Sequence, residues 1–255
     1  MTELPELPRF SLAGKTALVV GGSSGIGFGA AVALADAGAH VTLAARHREK
    51  TERAAERLTG QGWQAGTMSL DVTDTANIDR KVARAGPFDI LVNSAGIARH
   101  ARADKTTPDD FDAVMATNLR GAFFVTQAVA RGLIDAKRAG SLINISSQMG
   151  QVGGADRAVY CASKFAVEGF SKAMAIDWGP LGIRVNTICP TFVRTPLTRD
   201  SLADKDVHAW IMGKVKLGRI GEVSDIMGAV VYLASDASGL VTGSSMMIDG
   251  GWTSG

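Results

Sequence analysis

Residues 15–38 constrain the fold more than any other stretch of this chain. KTALVV is a short, β-branched run bounded by glycine, the pattern of a strand buried on both faces. It runs directly into GGSSGIG, and FGAAVALADAG follows as an alanine-rich helix stopped by Gly38. Strand, glycine turn and helix in immediate succession put backbone N–H groups at a helix N-terminus, where a phosphate can approach without meeting a side chain. Gly21, Ser23, Ser24, Gly25, Ile26 and Gly27 are therefore candidate dinucleotide-binding residues. A glycine-rich run by itself is an ordinary turn in many proteins; its place between strand and helix is what gives it this reading.

The alternation continues. HVTLAAR, WQAGTMSLDV, FDILVN, LINIS, GIRVNTIC and SSMMIDGG read as further strands, separated by helical patterns such as HREKTERAAERLTG, TANIDRKVARAG and EVSDIMGAVVYLAS. No linker and no internal repeat interrupts them. The expected architecture is α/β: a single Rossmann-like domain over residues 1–255, with a doubly wound parallel sheet of about seven strands flanked by helices. MTELPELPRF, residues 1–10, reads as a loose arm. TTPDDFDAVMATNLRGAFFVTQAVARGLIDAKRAG reads as one long helix starting near Pro108. Residues 191–219 are long for a connection and mix charge with Trp210, Ile211 and Met212, so they read as a short helical lid over a substrate site.

Where the second strand ends decides between cofactors. An acid there would bind the ribose 2′-hydroxyl of NAD, whereas an arginine accommodates the 2′-phosphate of NADP. This chain has Ala45-Arg46, followed by His47 and Arg48, so NADP(H) is expected over NAD(H). The alternative is a plain solvated basic loop. Asp71, at the end of the third strand, either reaches an adenine amino group or caps the next helix as part of DVTD. Asn93, Ala95 and Gly96 form a turn of small residues against which a cofactor can lie.

Chemistry concentrates in residues 147–164, SQMGQVGGADRAVYCASK. Tyr160 and Lys164 lie four apart on a helical pattern and so share a face. A fixed ammonium near a phenol favours the phenolate, which is expected to draw Tyr160 toward a usable pKa for proton transfer. Ser147 follows an apolar strand, where its hydroxyl can hydrogen-bond a substrate oxygen as charge develops. A Tyr and a Lys at this spacing also occur by chance, as a half-buried ring beside a solvated charge. Asn118 stands in the apolar stretch MATNLRGAFF, where it either satisfies a local kink or holds a water for proton relay. Gln148, Arg157 and Arg194 would add polarity to a substrate site, and Phe192, Trp210 and Met212 apolar cover.

Composition excludes several other classes. Lys and Arg total 27 against 25 Asp and Glu, interspersed and without a basic stripe, so no nucleic-acid partner is expected. No apolar run approaches the roughly 20 residues that span a bilayer, and MTELPELPRF lacks the basic start and apolar core of a signal peptide. Two cysteines, Cys161 and Cys189, and four scattered histidines provide neither a disulfide framework nor metal-ligand spacing. A soluble, cytoplasmic protein without a metal or a membrane partner is expected.

These motifs together resemble the short-chain dehydrogenase/reductase family over essentially the whole chain. GGSSGIG is similar to its TGxxxGIG turn, NSAG to its NNAG turn, Asn118 to its helix asparagine, and Ser147 with YCASK to its Ser–Tyr–Lys constellation; IRVNTICP and IDGG match later landmarks. Val20, Ser94 and Thr191 depart from the usual Thr, Asn and Gly. The resemblance implies hydride transfer between NADP(H) and a carbonyl or secondary alcohol. Tyr160 would be the acid/base and Ser147 would hydrogen-bond the reacting oxygen. Lys164 would hold the nicotinamide ribose, and Asn118 a water linking Lys164 to solvent. It also implies Val72, Pro190, Val193 and Thr195 as cofactor contacts, Gln148, Phe192 and Trp210 as substrate contacts, the strand order 3-2-1-4-5-6-7, and a homotetramer. NAD-dependent polyol or sugar dehydrogenation is the alternative within the family. A non-catalytic dinucleotide sensor would be expected to lack one of Ser, Tyr or Lys, and a methyltransferase-like domain would want an acid near Ala45. Neither feature is found.

Overall fold

The computed structural model describes Leu4 and residues 6–255. Of the arm expected over residues 1–10, residues 1–3 and 5 lie outside the described residues; residues 6–10 carry no helix or strand, and the Arg9 carbonyl accepts a hydrogen bond from the Ala237 N–H at 3.1 Å.

The chain order is β1 (Thr16–Val20), α1 (Gly25–Asp36), β2 (His40–Ala45), α2 (Arg48–Thr59), β3 (Ala65–Ser69), α3 (Thr75–Ala85), β4 (Ile90–Asn93), α4 (Pro108–Met115), α5 (Ala122–Asp135), β5 (Gly140–Ile145), α6 (Ala158–Trp178), β6 (Ile183–Pro190), α7 (Arg199–Ala203), α8 (Lys205–Lys214), α9 (Val223–Ala234) and β7 (Ser245–Ile248). The seven strands form one parallel sheet in the order β3-β2-β1-β4-β5-β6-β7. Successive strand side chains point to opposite faces, and β1 serves both layers this way. Ala17 and Val19 pack with Leu34 of α1 and Val230 and Leu233 of α9. Leu18 and Val20 pack with Val82 of α3, Val125 and Leu133 of α5 and Met174 of α6.

Helices thus cover both faces of a Rossmann-like sheet. In the register, Val20 stands level with Ala44 of β2 on one side and Asn93 of β4 on the other. The winding reverses between β1 and β4, so the crevice of the fold lies beyond their carboxyl ends.

One segment differs from its sequence reading. The helix expected from Pro108 onward holds its course but passes through a π-helical turn, Ala116–Gly121, between α4 and α5. Two contacts fix that turn. A Cβ on Gly121 would stand 2.7 Å from the Val72 carbonyl, so only glycine lets the helix pack this closely on β3's exit. The Asn118 side chain is also tied across to Ile97. The stretch expected as a lid folds into α7 and α8, which a third apolar cluster anchors. Ile211 is 0% exposed and packs with Met149, Val215, Ile220 and Trp252. Burying such a side chain contributes about 1.5–3 kcal/mol, enough to hold α8 against the body of the protein.

Candidate active site

A cleft of about 340 Å³ opens at the carboxyl ends of β1, β2 and β4, and the glycine turn forms its floor. Gly21 has φ +75°, and a Cβ there would meet the Ser94 backbone at 2.8 Å, so the turns after β1 and β4 touch back to back. α1 begins at Gly25 with no side-chain cap and no acid in its first turn. Its first N–H donors and the positive end of its dipole are therefore left for an anion, and Ser23, Ser24, Gly25 and Ile26 line the cleft there. These are the features a pyrophosphate needs, so the residues present fit a dinucleotide.

At the far end of the cleft, Ala45 and Arg46 are joined by His47 and Lys50. Lys50 was missed in the sequence reading, although it lies one helical turn past Arg46. Among the described residues Arg46 pairs with no carboxylate within 4.0 Å. Asp71 Oδ1 accepts from the Thr73 N–H at 2.9 Å and hydroxyl at 2.8 Å, while Asp74 stands at the N-cap of α3. Burial would raise the Asp71 pKa, but the Thr73 hydrogen bonds and the nearby Arg46 and Lys81 outweigh it and hold the carboxyl below its usual range. Val72, Ala95, Gly96, Pro190, Val193 and Thr195 complete the walls.

The structure puts two expected cofactor residues behind the walls instead. A Cβ on Gly27 would come 2.3 Å from the Gly21 carbonyl, so Gly27 permits the close helix–strand approach. Asn93 is buried, its amide donating to Asn144 Oδ1 at 3.2 Å and the Ala122 carbonyl at 3.3 Å, a brace between β4, β5 and α5.

Ser147, Tyr160 and Lys164 converge in the middle of the cleft. Ser147 follows β5, and its hydroxyl accepts from the Met149 N–H at 3.1 Å, which orients it. Tyr160 lies in the first turn of α6 with Lys164 one turn on. The Lys164 ammonium is 5.7 Å from the Tyr160 ring centroid and donates to the Ile145 carbonyl at 2.9 Å. Burial lowers the Lys164 pKa to about 8, although Cys189 and Glu168 act against it. Burial also raises Tyr160 above the ordinary phenol value, and the Ser147 hydroxyl and Arg157 only partly offset this. The expected lowering of Tyr160 by Lys164 is therefore not the dominant effect in the folded chain: desolvation wins.

Asn118 does not line the cleft. Its Oδ1 accepts from the Ile97 N–H at 2.8 Å, and its amide donates to the Ile97 carbonyl at 2.9 Å and to Ser163 Oγ at 3.2 Å. It therefore clamps the loop after β4 to α6.

A smaller cavity, about 70 Å³, lies on the other side of Ser147 and Tyr160, which line both spaces. Gln148 and Phe192 form part of it, with Leu197, Thr198 and Ser201 from the stretch that includes α7. Trp210 does not line it: its ring is 5.0 Å from Trp252 and 6.2 Å from Phe192, so it backs the wall in an aromatic cluster. Arg194 also lies elsewhere, paired with Glu222 at 3.0 Å on the surface. His100 was missed. It stands at the cavity rim with its ring edge-on to Tyr160 at 6.1 Å, and its loop, ARHARAD, carries no periodicity that would single it out. Among the described residues no cluster of potential metal ligands is found, and no helix is long and apolar enough to cross a membrane.

Known proteins similar to this chain are numerous. Residues 20–253 match the family profile described as enoyl-(acyl carrier protein) reductase. The chain is 40% identical over 248 residues to the gluconate 5-dehydrogenase of Gluconobacter oxydans (strain 621H), covering 96% of each chain. It is 39% identical over 260 residues to the D-threitol dehydrogenase of Mycolicibacterium smegmatis, covering 99% of each. Among solved structures, a gluconate 5-dehydrogenase from Burkholderia cenocepacia J2315 in complex with NADP and tartrate superposes with a TM-score of 0.93 at 39% identity, over 97% of this chain and 98% of that one.

Proposed function

The chain belongs to the short-chain dehydrogenase/reductase family of oxidoreductases, and on that footing we propose that it interconverts a ketone and a secondary alcohol of a polyhydroxylated small molecule with NADP(H), Tyr160 carrying the proton. One observation carries this reading: Ser147 and Tyr160 line both the dinucleotide-shaped cleft and the smaller cavity, so a molecule in each would meet at their hydroxyls. The NADP bound in the Burkholderia relative and the sugar-type substrates named for the curated relatives support it.

The N–H groups at Gly21, Ser23, Ser24, Gly25 and Ile26 would hold the pyrophosphate, Asp71 and Val72 the adenine, and Arg46 with Lys50 the 2′-phosphate. Ala95, Gly96, Pro190, Val193 and Thr195 would enclose the nicotinamide half, and Lys164 its ribose. The nicotinamide, when bound, supplies or accepts the hydride exchanged with the reacting carbon. This chain's residues manage the proton and the charge. In reduction, Tyr160 donates its hydroxyl proton to the carbonyl oxygen while Ser147 hydrogen-bonds the same oxygen. In oxidation the alcohol proton passes back to the Tyr160 phenolate. Asn118 holds Ile97 and Ser163 in place behind this pair and retains an Oδ1 lone pair for a water on the way from Lys164 to solvent.

The competing reading is the same chemistry with NAD(H). Arg46 and Lys50 at the 2′ end, with no acid at Ala45, favour NADP(H). Losing a charge-assisted contact costs about 1.5–3 kcal/mol, or about ten- to a hundredfold in affinity. Measuring kcat/KM with both cofactors, in wild type and in the Ala45→Asp/Arg46→Ile double variant, tests the assignment on a panel of ketoses, polyols and sugar acids. Wild type is expected to prefer NADP(H), and the double variant to lose that preference by about ten- to a hundredfold. A wild type that prefers NAD(H), or a double variant with unchanged preference, would make Arg46 a solvated surface charge.

A further inference from the structure

The small cavity beside Tyr160 has an electrostatic character that the reaction alone does not require. Its walls contain an arginine and a histidine, Arg157 and His100, and no carboxylate. Among the described residues Arg157 pairs with no Asp or Glu within 4.0 Å, unlike Arg194 nearby, which pairs with Glu222. Nor does helix stability account for it. Arg157 is the N-cap residue of α6, the end at which the helix dipole disfavours a cation, and it makes no side-chain cap.

The guanidinium is nevertheless held in one place. Nη1 donates to the Ala155 carbonyl at 2.6 Å, and the guanidinium carbon lies over two aromatic rings, 5.6 Å from the Phe192 centroid and 5.3 Å from that of Trp210. These contacts confine the guanidinium while leaving most of its five donors free. Burial and the neighbouring Arg157 charge press His100 toward its neutral form, outweighing the nearby Asp156 carboxylate, and one ring nitrogen then remains a donor. Two buried polar atoms of the same walls, Gln148 Oε1 and Thr191 Oγ1, have no hydrogen-bond partner. Gln148 itself is 1% exposed, so its carbonyl oxygen is an acceptor withheld from water. Buried polar atoms of this kind are normally satisfied, so the wall beside Arg157 holds polar groups that the protein itself leaves unpaired.

We propose that Arg157 is a carboxylate-binding residue, and that the substrate is a hydroxylated carboxylic acid of the aldonate class or its keto form. Its carboxylate is held by the guanidinium fork, its hydroxylated chain lies along the wall that includes Gln148 and Thr191, and its reacting carbon lies at Tyr160. A planar, fixed fork matches a carboxylate in a two-point contact that a neutral hydroxyl cannot reproduce. This rests on the oxidoreductase reading of the site and narrows it from polyhydroxylated molecules in general to acids. Trp210, which does not line the cavity, then acts as a positioning residue beside Arg157.

The test compares gluconate with sorbitol, which share a carbon skeleton and differ at the terminal carboxylate, using NADP as oxidant. Wild type is expected to favour gluconate in kcat/KM, and Arg157→Gln to reduce that preference by about ten- to a hundredfold, chiefly through KM for gluconate. Arg157→Lys, which keeps the charge without the fork, is expected to fall between them. A wild-type preference for sorbitol, or an Arg157→Gln enzyme whose preference is unchanged, overturns the proposal. Gluconate binding to the NADPH-loaded protein, measured by calorimetry, separates this proposal from the reading beneath it, because that complex cannot turn over. Arg157-dependent binding with no turnover of either compound would sustain the carboxylate site and defeat the redox reading. Turnover with Arg157-independent binding would do the reverse. Thermal midpoints of both variants within a few degrees of wild type guard against reading misfolding as lost recognition.

Discussion

Burial acts in opposite directions on the two titrating groups at the centre of the site, raising Tyr160 and lowering Lys164 to about 8. Both shifts favour the uncharged form of the pair. At neutral pH the phenol therefore keeps its proton, which suits donation to a carbonyl, and reduction is expected to be flat in pH below about 8. Oxidation needs the Tyr160 phenolate, and burial raises that pKa above the ordinary phenol value, so its rate is expected to climb only into the alkaline range. Lys164→Ala removes the nearby ammonium that favours the phenolate. The oxidation limb should then move to higher pH while cofactor affinity falls. A variant with weaker cofactor binding and an unmoved pH–rate profile would show that the ammonium and the phenol are not coupled. The spacing of Tyr160 and Lys164 was legible in the sequence because four residues make one helical turn. The dominance of desolvation was not, since it depends on what β5 and the Ile145 carbonyl bring up against Lys164.

Several elements are held by contacts that join residues close in sequence. α9 begins with a reciprocal capping box between Glu222 and Asp225. Asp225 also accepts from both Arg219 amino groups at 2.6 and 2.7 Å, and the Arg219 hydrogen bond holds its carboxyl down at about 2. A depressed carboxylate stabilises the fold above its unfolded pKa and loses that contribution as pH falls through the folded value. Asp225→Asn is accordingly expected to lower stability by about 1 kcal/mol at pH 7, a typical cap loss, and by less at pH 2. Equal destabilisation at both pH values in urea melts would assign the effect to packing. Helix and strand order was readable from the apolar periodicity and the glycine turns. The π turn at Asn118 was not, because it arises from the approach of Gly121 to Val72 and the tie to Ile97, both across long sequence separations. The anchoring of α8 through Ile211 was hidden for the same reason: residues 191–219 look like a mixed-charge connection until Met149 and Trp252 are brought beneath them.

At the scale of the whole molecule, helices on both faces of the parallel sheet leave its carboxyl edge free for the two connected spaces that meet at Tyr160. The outer surface of α6 carries apolar side chains that the monomer does not cover, Phe165 at 49% and Ile176 at 77% exposure, with Phe111 of α4 also exposed. Exposed apolar surface of this kind marks an association face, and a homotetramer is expected. Light scattering should give four times the mass of one chain, and Phe165→Asp should reduce it; a wild-type monomer would remove the assembly from the account. The central claim concerns the proton, and Tyr160→Phe tests it most directly because it deletes one oxygen from the site. Steady-state turnover and cofactor binding are measured side by side on a substrate that the wild type converts. The account predicts cofactor affinity within a few-fold of wild type and turnover lowered by at least the roughly hundredfold typical of a lost general acid. Near-normal turnover in this variant would contradict it.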